Sequence, residues 1–187
     1  MALESLLQEK RKAIKDRWLQ VVLESYPRDS RRFLKKQKDE FANPVGHTFR
    51  TELDNVLQEI LEPSNSGRLE ASLDRILRIK AVQDFTPSES ISFLFLLKPI
   101  IRAVVDESGR EQDPAPGLDA LNTRIDKAVL TALDVFMSCR EKLFMLRADH
   151  MKNQVSALLR RAGLMDEVPS WDPAFERGDE NNPLNKT

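Results

Sequence analysis

Two histidines and one cysteine are the chain's whole supply of side chains suited to general-base, nucleophilic or soft-metal chemistry near neutral pH. His47 lies in "FANPVGHTF", residues 41–49, directly after a lysine-rich run, and haem or zinc ligation is one reading of it. A metal site needs further ligands at ligand spacing, and none stands nearby in the sequence. Projected at about 100° per residue, His47 shares a stripe with Thr51, Asp54 and Gln58, which predicts an exposed or rim position. Cys139 projects onto the stripe of Ala132 and Ile125 and reads as a small buried hydrophobe rather than a redox sensor. The sequence has no GxSxG nucleophile elbow, no GxxxxGK phosphate loop, no HExxH and no CxxC. Neither enzyme activity nor a cofactor or bound metal is expected.

The polar residues that remain are read as shaping the fold. Arg140 falls on the stripe of Val129, Leu133 and Phe136, where it must snorkel outward or meet a carboxylate, and Asp84 is the partner expected in the second case. Gly46 falls on the inward stripe of Leu53, Leu57 and Ile60. It is either a point of close backbone approach or a glycine tolerated in a first helical turn. Asn43, Pro44, Gly46, Gln83, Asp84 and Arg140 form the shape-determining set.

These positions require helices to hold them. Apolar residues at Leu3, Leu7, Ile14, Trp18, Val21 and Val22 recur at helical spacing until Tyr26-Pro27, because proline disfavours helix at the residue before it. A short basic amphipathic piece over residues 29–38 comes next, with Phe33, Leu34 and Gln37 between Arg31, Arg32, Lys35, Lys36 and Lys38, and it reads as a solvated face. Asn43 then acts as an N-cap with Pro44 at the first helical position, and the helix runs to Glu62-Pro63. A fourth helix covers residues 68–82. Thr86, Pro87 and Glu89 make a capping box that opens a fifth, apolar nearly all round, which Pro99 kinks by leaving the Phe95 carbonyl unpaired. Residues 108–117 read as a surface loop, and a sixth helix runs from Leu118 to about Ala162, roughly 65 Å long.

The distal half of that helix carries Phe144, Ala148, Met151, Val155, Leu158 and Ala162 in alternating steps of four and three, the seam of a short coiled coil. Two outcomes are open: pairing with a second helix, or docking back on the same domain. From Asp166 to Thr187 six acids stand against two bases, and Trp171 and Phe175 lie four apart in this acidic tail, which is read as flexible. The aromatic pair is either incidental or a docking peptide for a basic apolar groove.

The bulk numbers set the remaining limits. A chain of 187 residues is long enough for one domain with a sizeable core. A net charge of −1 argues against a surface devoted to nucleic acid, and one cysteine leaves nothing that needs an oxidising compartment. The start lacks the order of a secretion signal, and the apolar stretch at 91–105 contains Lys98 and Arg102, so no membrane insertion is expected and a cytoplasmic location is. The expected architecture is an all-α, single-domain bundle of about six helices over residues 1–163, with a long C-terminal helix and a flexible tail at 164–187.

Three stretches taken together, "FANPVGHTF" at 41–49, "ILRIKAVQDFTPSESISFLFLLK" at 76–98 and "RIDKAVLTALDVFMSCREKLF" at 124–144, resemble the N-terminal domain of RsbRD-type proteins, the RsbT co-antagonist family. The early Trp18 and the Tyr26-Pro27 pair fit as well. The resemblance implies a non-enzymatic sensory or interaction module, similar in role to the haem-free, globin-like N-terminal domains of stressosome proteins. Many members join such a domain to a STAS domain or a histidine kinase. Here only the acidic tail comes after the last helix, so a stand-alone version acting on a protein partner in trans is expected, homodimeric through the sixth helix. Its rivals are a small-molecule or haem carrier with a pocket near Pro99 and His47, and a structural subunit of a respiratory or signalling assembly.

Overall fold

In the computed structural model, residues 2–36, 39, 41–64, 66–83, 85–109 and 115–163 are described. They form α1 (Ala2–Glu24), α2 (Arg28–Lys36), α3 (Pro44–Leu61), α4 (Arg68–Val82), α5 (Pro87–Phe95), α6 (Leu97–Glu107) and α7 (Ala115–Arg161), with no strand among the described residues. The fold is an all-α bundle with a long C-terminal helix. Each helix arises from its apolar stripe. Leu6, Leu7, Ile14, Trp18, Val22 and Leu23 are the buried face of α1, while Phe49, Leu53, Val56, Leu57 and Ile60 are that of α3. α3 lies against α4 and α1, and α1 in turn packs against α6, α5 and α2. The proximal half of α7 adds Leu121, Ile125, Ala128, Ala132 and Phe136 to the same core.

The core belongs to the compact unit Met1–Phe144, and a second unit begins at Met145. In the second unit the seam residues Met151, Val155 and Leu158 are all more than half exposed.

Two boundaries differ from the sequence reading. The single kinked fifth helix is two helices: Leu96, at φ −68° and ψ −15°, donates its N–H back to Ser92 O at 3.3 Å as a turn, and α6 restarts at Leu97. Pro99 has no N–H for the Phe95 carbonyl and its ring crowds that oxygen, so the ladder breaks rather than bends. The last helix also begins at Ala115 instead of Leu118, drawing Pro116 and Gly117 out of the expected loop. The first N–H groups of a helix have no partner within it, so a proline there gives up nothing. Gly117 serves this start, because a Cβ on it would lie 2.6 Å from Leu3 Cδ2 of α1.

Candidate functional site

The junction of α1, α2 and α3 is held by a small set of polar side chains. Pro27 ends α1 and leaves its last carbonyls without helical partners. Arg31 Nη2 takes two of them, Glu24 O at 2.8 Å and Tyr26 O at 3.1 Å, which fixes Tyr26 at the corner. Asn43 is wholly buried. Its Oδ1 accepts the Gly46 N–H at 2.8 Å, as the expected N-cap, and its Nδ2 donates to Leu34 O of α2 at 3.1 Å. Arg50 Nη2 reaches the same Leu34 carbonyl at 2.7 Å. One asparagine thus starts α3 and ties it to α2. Gly46 faces inward as expected, but what comes close to it is this cap and not another backbone: a Cβ would lie 2.8 Å from both Asn43 Cγ and Oδ1, and nearer still to Nδ2.

Asn43→Ala is expected to cost about 2 kcal/mol, because it removes a cap and also a buried donor. Gly46→Ala is expected to destabilise as well, against the roughly 1 kcal/mol that helix propensity alone would gain. Thermal melts of the two variants check both signs.

Beside this junction lies a cleft of about 400 Å³ lined by Tyr26, Phe33, Leu34, Asn43, Pro44 and Gln83, among others. Three members of the shape-determining set, Asn43, Pro44 and Gln83, therefore meet at one place.

Behind Tyr26 sits a group that the sequence reading passed over. Lys80 of α4 is 1% exposed, and its ammonium faces three rings: Phe85 at 4.4 Å from the centroid, Tyr26 at 5.7 Å and Phe93 at 6.0 Å. Tyr26 meets Phe49 and Phe85 edge-on, and Trp18 stacks on Phe93 with centroids 5.7 Å apart. The Trp18 indole also donates to Phe93 O at 2.7 Å, a carbonyl in the last turn of α5. Burial pulls the Lys80 pKa down to about 8, against which Glu89 acts weakly. Glu89 is the acid of the Thr86 capping box, present as expected. Burial also raises the Tyr26 phenol, and its hydroxyl has no hydrogen-bond partner among the described residues. A charge set among ring faces is held by their quadrupoles, with little solvent and no tight counter-ion among the described residues. Such an amine changes its charge with small changes in its surroundings. The signal was in the sequence: Lys80 comes after Leu73, Ile76 and Leu77 by seven, four and three residues, on the inward stripe of α4.

The other expected positions lie apart from the cage. His47 is half-buried at the start of α3, 3.4 Å from Thr51 Oγ1. Pro99 is exposed. Neither lines the cleft above or a second cavity of about 470 Å³, bounded by Leu3, Leu7, Leu61, Gly117, Leu121 and Arg124. No group of three or more His, Cys, Asp or Glu side chains is placed to hold a metal among the described residues. Arg140 is half-buried, with its guanidinium 5.0 Å from the Phe144 ring centroid. Its expected partner Asp84, like Trp171 and Phe175 of the tail, lies outside the described residues. Cys139 is buried, and its Sγ meets Asp74 Oδ1 of α4 at 3.6 Å. Burial and then the Asp74 carboxylate push the thiol pKa up, which disfavours the nucleophilic thiolate.

The seam is the second candidate region. Phe144, Ala148, Met151, Val155, Leu158 and Ala162 are all exposed. Comparison with known proteins then settles the family, since the model of the RsbT co-antagonist protein rsbRD N-terminal domain matches residues 12–151. The chain belongs to the RsbRD N-terminal domain family. No curated protein and no solved structure matches. The matched span of this RsbRD N-terminal domain takes in Trp18, the Asn43 junction, the Lys80 cage and α7 as far as Met151. RsbRD N-terminal domains are stressosome-related signalling domains. Among the described residues, no helix is long and apolar enough to cross a membrane.

Proposed function

We propose that this RsbRD N-terminal domain is a cytoplasmic, non-enzymatic sensory or adaptor module whose signal leaves through the distal half of α7 to a protein partner. The observation that carries this reading is the row of exposed apolar side chains at Met151, Val155 and Leu158, which a lone helix in water has no reason to keep. Input is read at the Lys80 cage, where charge and packing depend on each other. α4 carries both Lys80 and Asp74, and Asp74 meets Cys139 of α7, so a shift of α4 is felt by α7. Packed helices with two discrete positions transmit such shifts.

The flanks of the seam set the choice of partner. With Phe144, Met151 and Leu158 at d and Ala148, Val155 and Ala162 at a, the e and g positions hold Met145, Arg147, Lys152, Gln154, Leu159 and Arg161. None is acidic. In a parallel pair Arg147 of one copy faces Lys152 of the other, so the expected homodimer is weak and a partner helix with acidic flanks is favoured. Sedimentation of the chain cut after Met145 tests the first point, since an unchanged oligomeric state removes α7 as the dimer element. Met151→Lys with Leu158→Lys is expected to weaken partner binding at least about tenfold with an unchanged melting curve, because both side chains are exposed in the isolated chain.

A further inference from the structure

α7 ends at a left-handed glycine. Gly163 has φ 66°, a left-handed conformation, and its N–H donates to Arg160 O at 3.1 Å, while Ala162 N–H donates to Leu158 O at 3.0 Å. A left-handed residue with this bond stops the helix, and the motif commonly adds an apolar contact between the next residue and the last turn, for which the sequence supplies Leu164 and Leu159.

The segment after Gly163 complements the helix before it. From Met145 to Arg161 the helix carries Arg147, Lys152, Arg160 and Arg161 against the single acid Asp149. Beyond Gly163 come Leu164, Val168, Trp171 and Phe175, interleaved with Asp166, Glu167, Asp172 and Glu176. One segment is basic around an exposed apolar row, and the other is acidic around an aromatic row. Lengths agree as well. Met151 stands about 16 Å back along the helix from Ala162, and eight extended residues from Leu164 to Trp171 span about 26 Å. Pro169 and Pro173 favour extended backbone before them, which suits a strip lying on a helix.

We propose that residues 164–175 of this chain dock on its own α7, seating Trp171 and Phe175 on Met151, Val155 and Leu158 with the tail acids on the flanking bases. The inference rests on distal α7 being a docking surface. A tethered segment acts at an effective concentration in the millimolar range, so it holds the seam against weak competitors, including a second copy with its like charges. A partner binds by displacing it, and the tail sets the threshold for output.

The full-length chain labelled with 5-fluorotryptophan gives two ¹⁹F lines, from Trp18 and Trp171, assigned with Trp171→Phe. The Trp171 line is expected apart from that of the free peptide 164–187. Leu158→Lys, and separately a rise in NaCl from about 50 mM to about 500 mM, should each move it toward the peptide position while the Trp18 line stays. A Trp171 line already at the peptide position overturns the proposal, as does one that moves with salt but not with Leu158→Lys. The two readings part on the doubly substituted seam variant: if the Trp171 line fails the test and partner capture is still lost, tail docking falls and distal α7 remains the output surface.

Discussion

Lys80→Met is expected to stabilise the protein at neutral pH, by about 2 kcal/mol, and to raise its melting temperature by about 4–8 °C. Lowering the Lys80 pKa from 10.5 to about 8 means that holding the ammonium in the cage costs about 3 kcal/mol relative to water. The three ring faces return about 1 kcal/mol that methionine, of similar volume, partly recovers by packing. The pH dependence has a definite sign. The folded-state pKa is below the unfolded one, so between about pH 8 and 10.5 the unfolded chain binds more protons, and wild-type stability from this group rises with pH. Below pH 8 both states are protonated and the full penalty persists. The advantage of methionine should therefore be constant below pH 8 and shrink toward pH 10. Above pH 10 Tyr26 acts in the opposite direction, since burial raises its pKa and ionisation of the unfolded phenol then favours unfolding. Calorimetric melts of both proteins at pH 7 and pH 9.5 check this, and a variant that melts below wild type at pH 7 contradicts it. A buried charge that lowers stability is a reason to place function at the cage, because packing alone favours methionine there.

Trp18→Ala carries the largest expected loss, about 4 kcal/mol, against a total stability of about 5–15 kcal/mol for a domain. Trp18 is wholly buried, stacked on Phe93, and its Nε1 satisfies the Phe93 carbonyl near the break between α5 and α6. Trp18→Phe keeps most of the ring but leaves that carbonyl orphaned, so about 1–2 kcal/mol is expected for it alone. Urea unfolding separates the two. Equal losses for phenylalanine and alanine would show that the indole N–H, rather than the buried ring, holds α1 to α5.

Much of this architecture was legible because the signals were local. The Asn43 cap, the Thr86–Glu89 box and the 68–82 helix arise from residue types within one turn, and each stands where the spacing put it. Pro99 announced a disturbance, but a missing N–H at one position is compatible with either a bend or a break, and periodicity does not encode which. Gly46 was correctly turned inward for an incomplete reason, since its crowding comes from the Asn43 side chain folded over it. The bridge from Asn43 to Leu34 spans nine residues and depends on where α2 ends. The role of Lys80 was not legible in this way. The residue lies on an apolar stripe, where a lysine reads as a snorkelling end, and only the convergence of Tyr26, Phe85 and Phe93 from three segments makes it a caged charge.

The claim that distal α7 is the output surface is tested most directly by quantitative affinity capture from the native host. Two baits are compared, the full-length chain and the same chain carrying Met151→Lys and Leu158→Lys. The expected result is a defined protein enriched on the intact chain and lost, about tenfold or more, on the variant, with superimposable melting curves. The same protein captured equally by both chains would contradict the account.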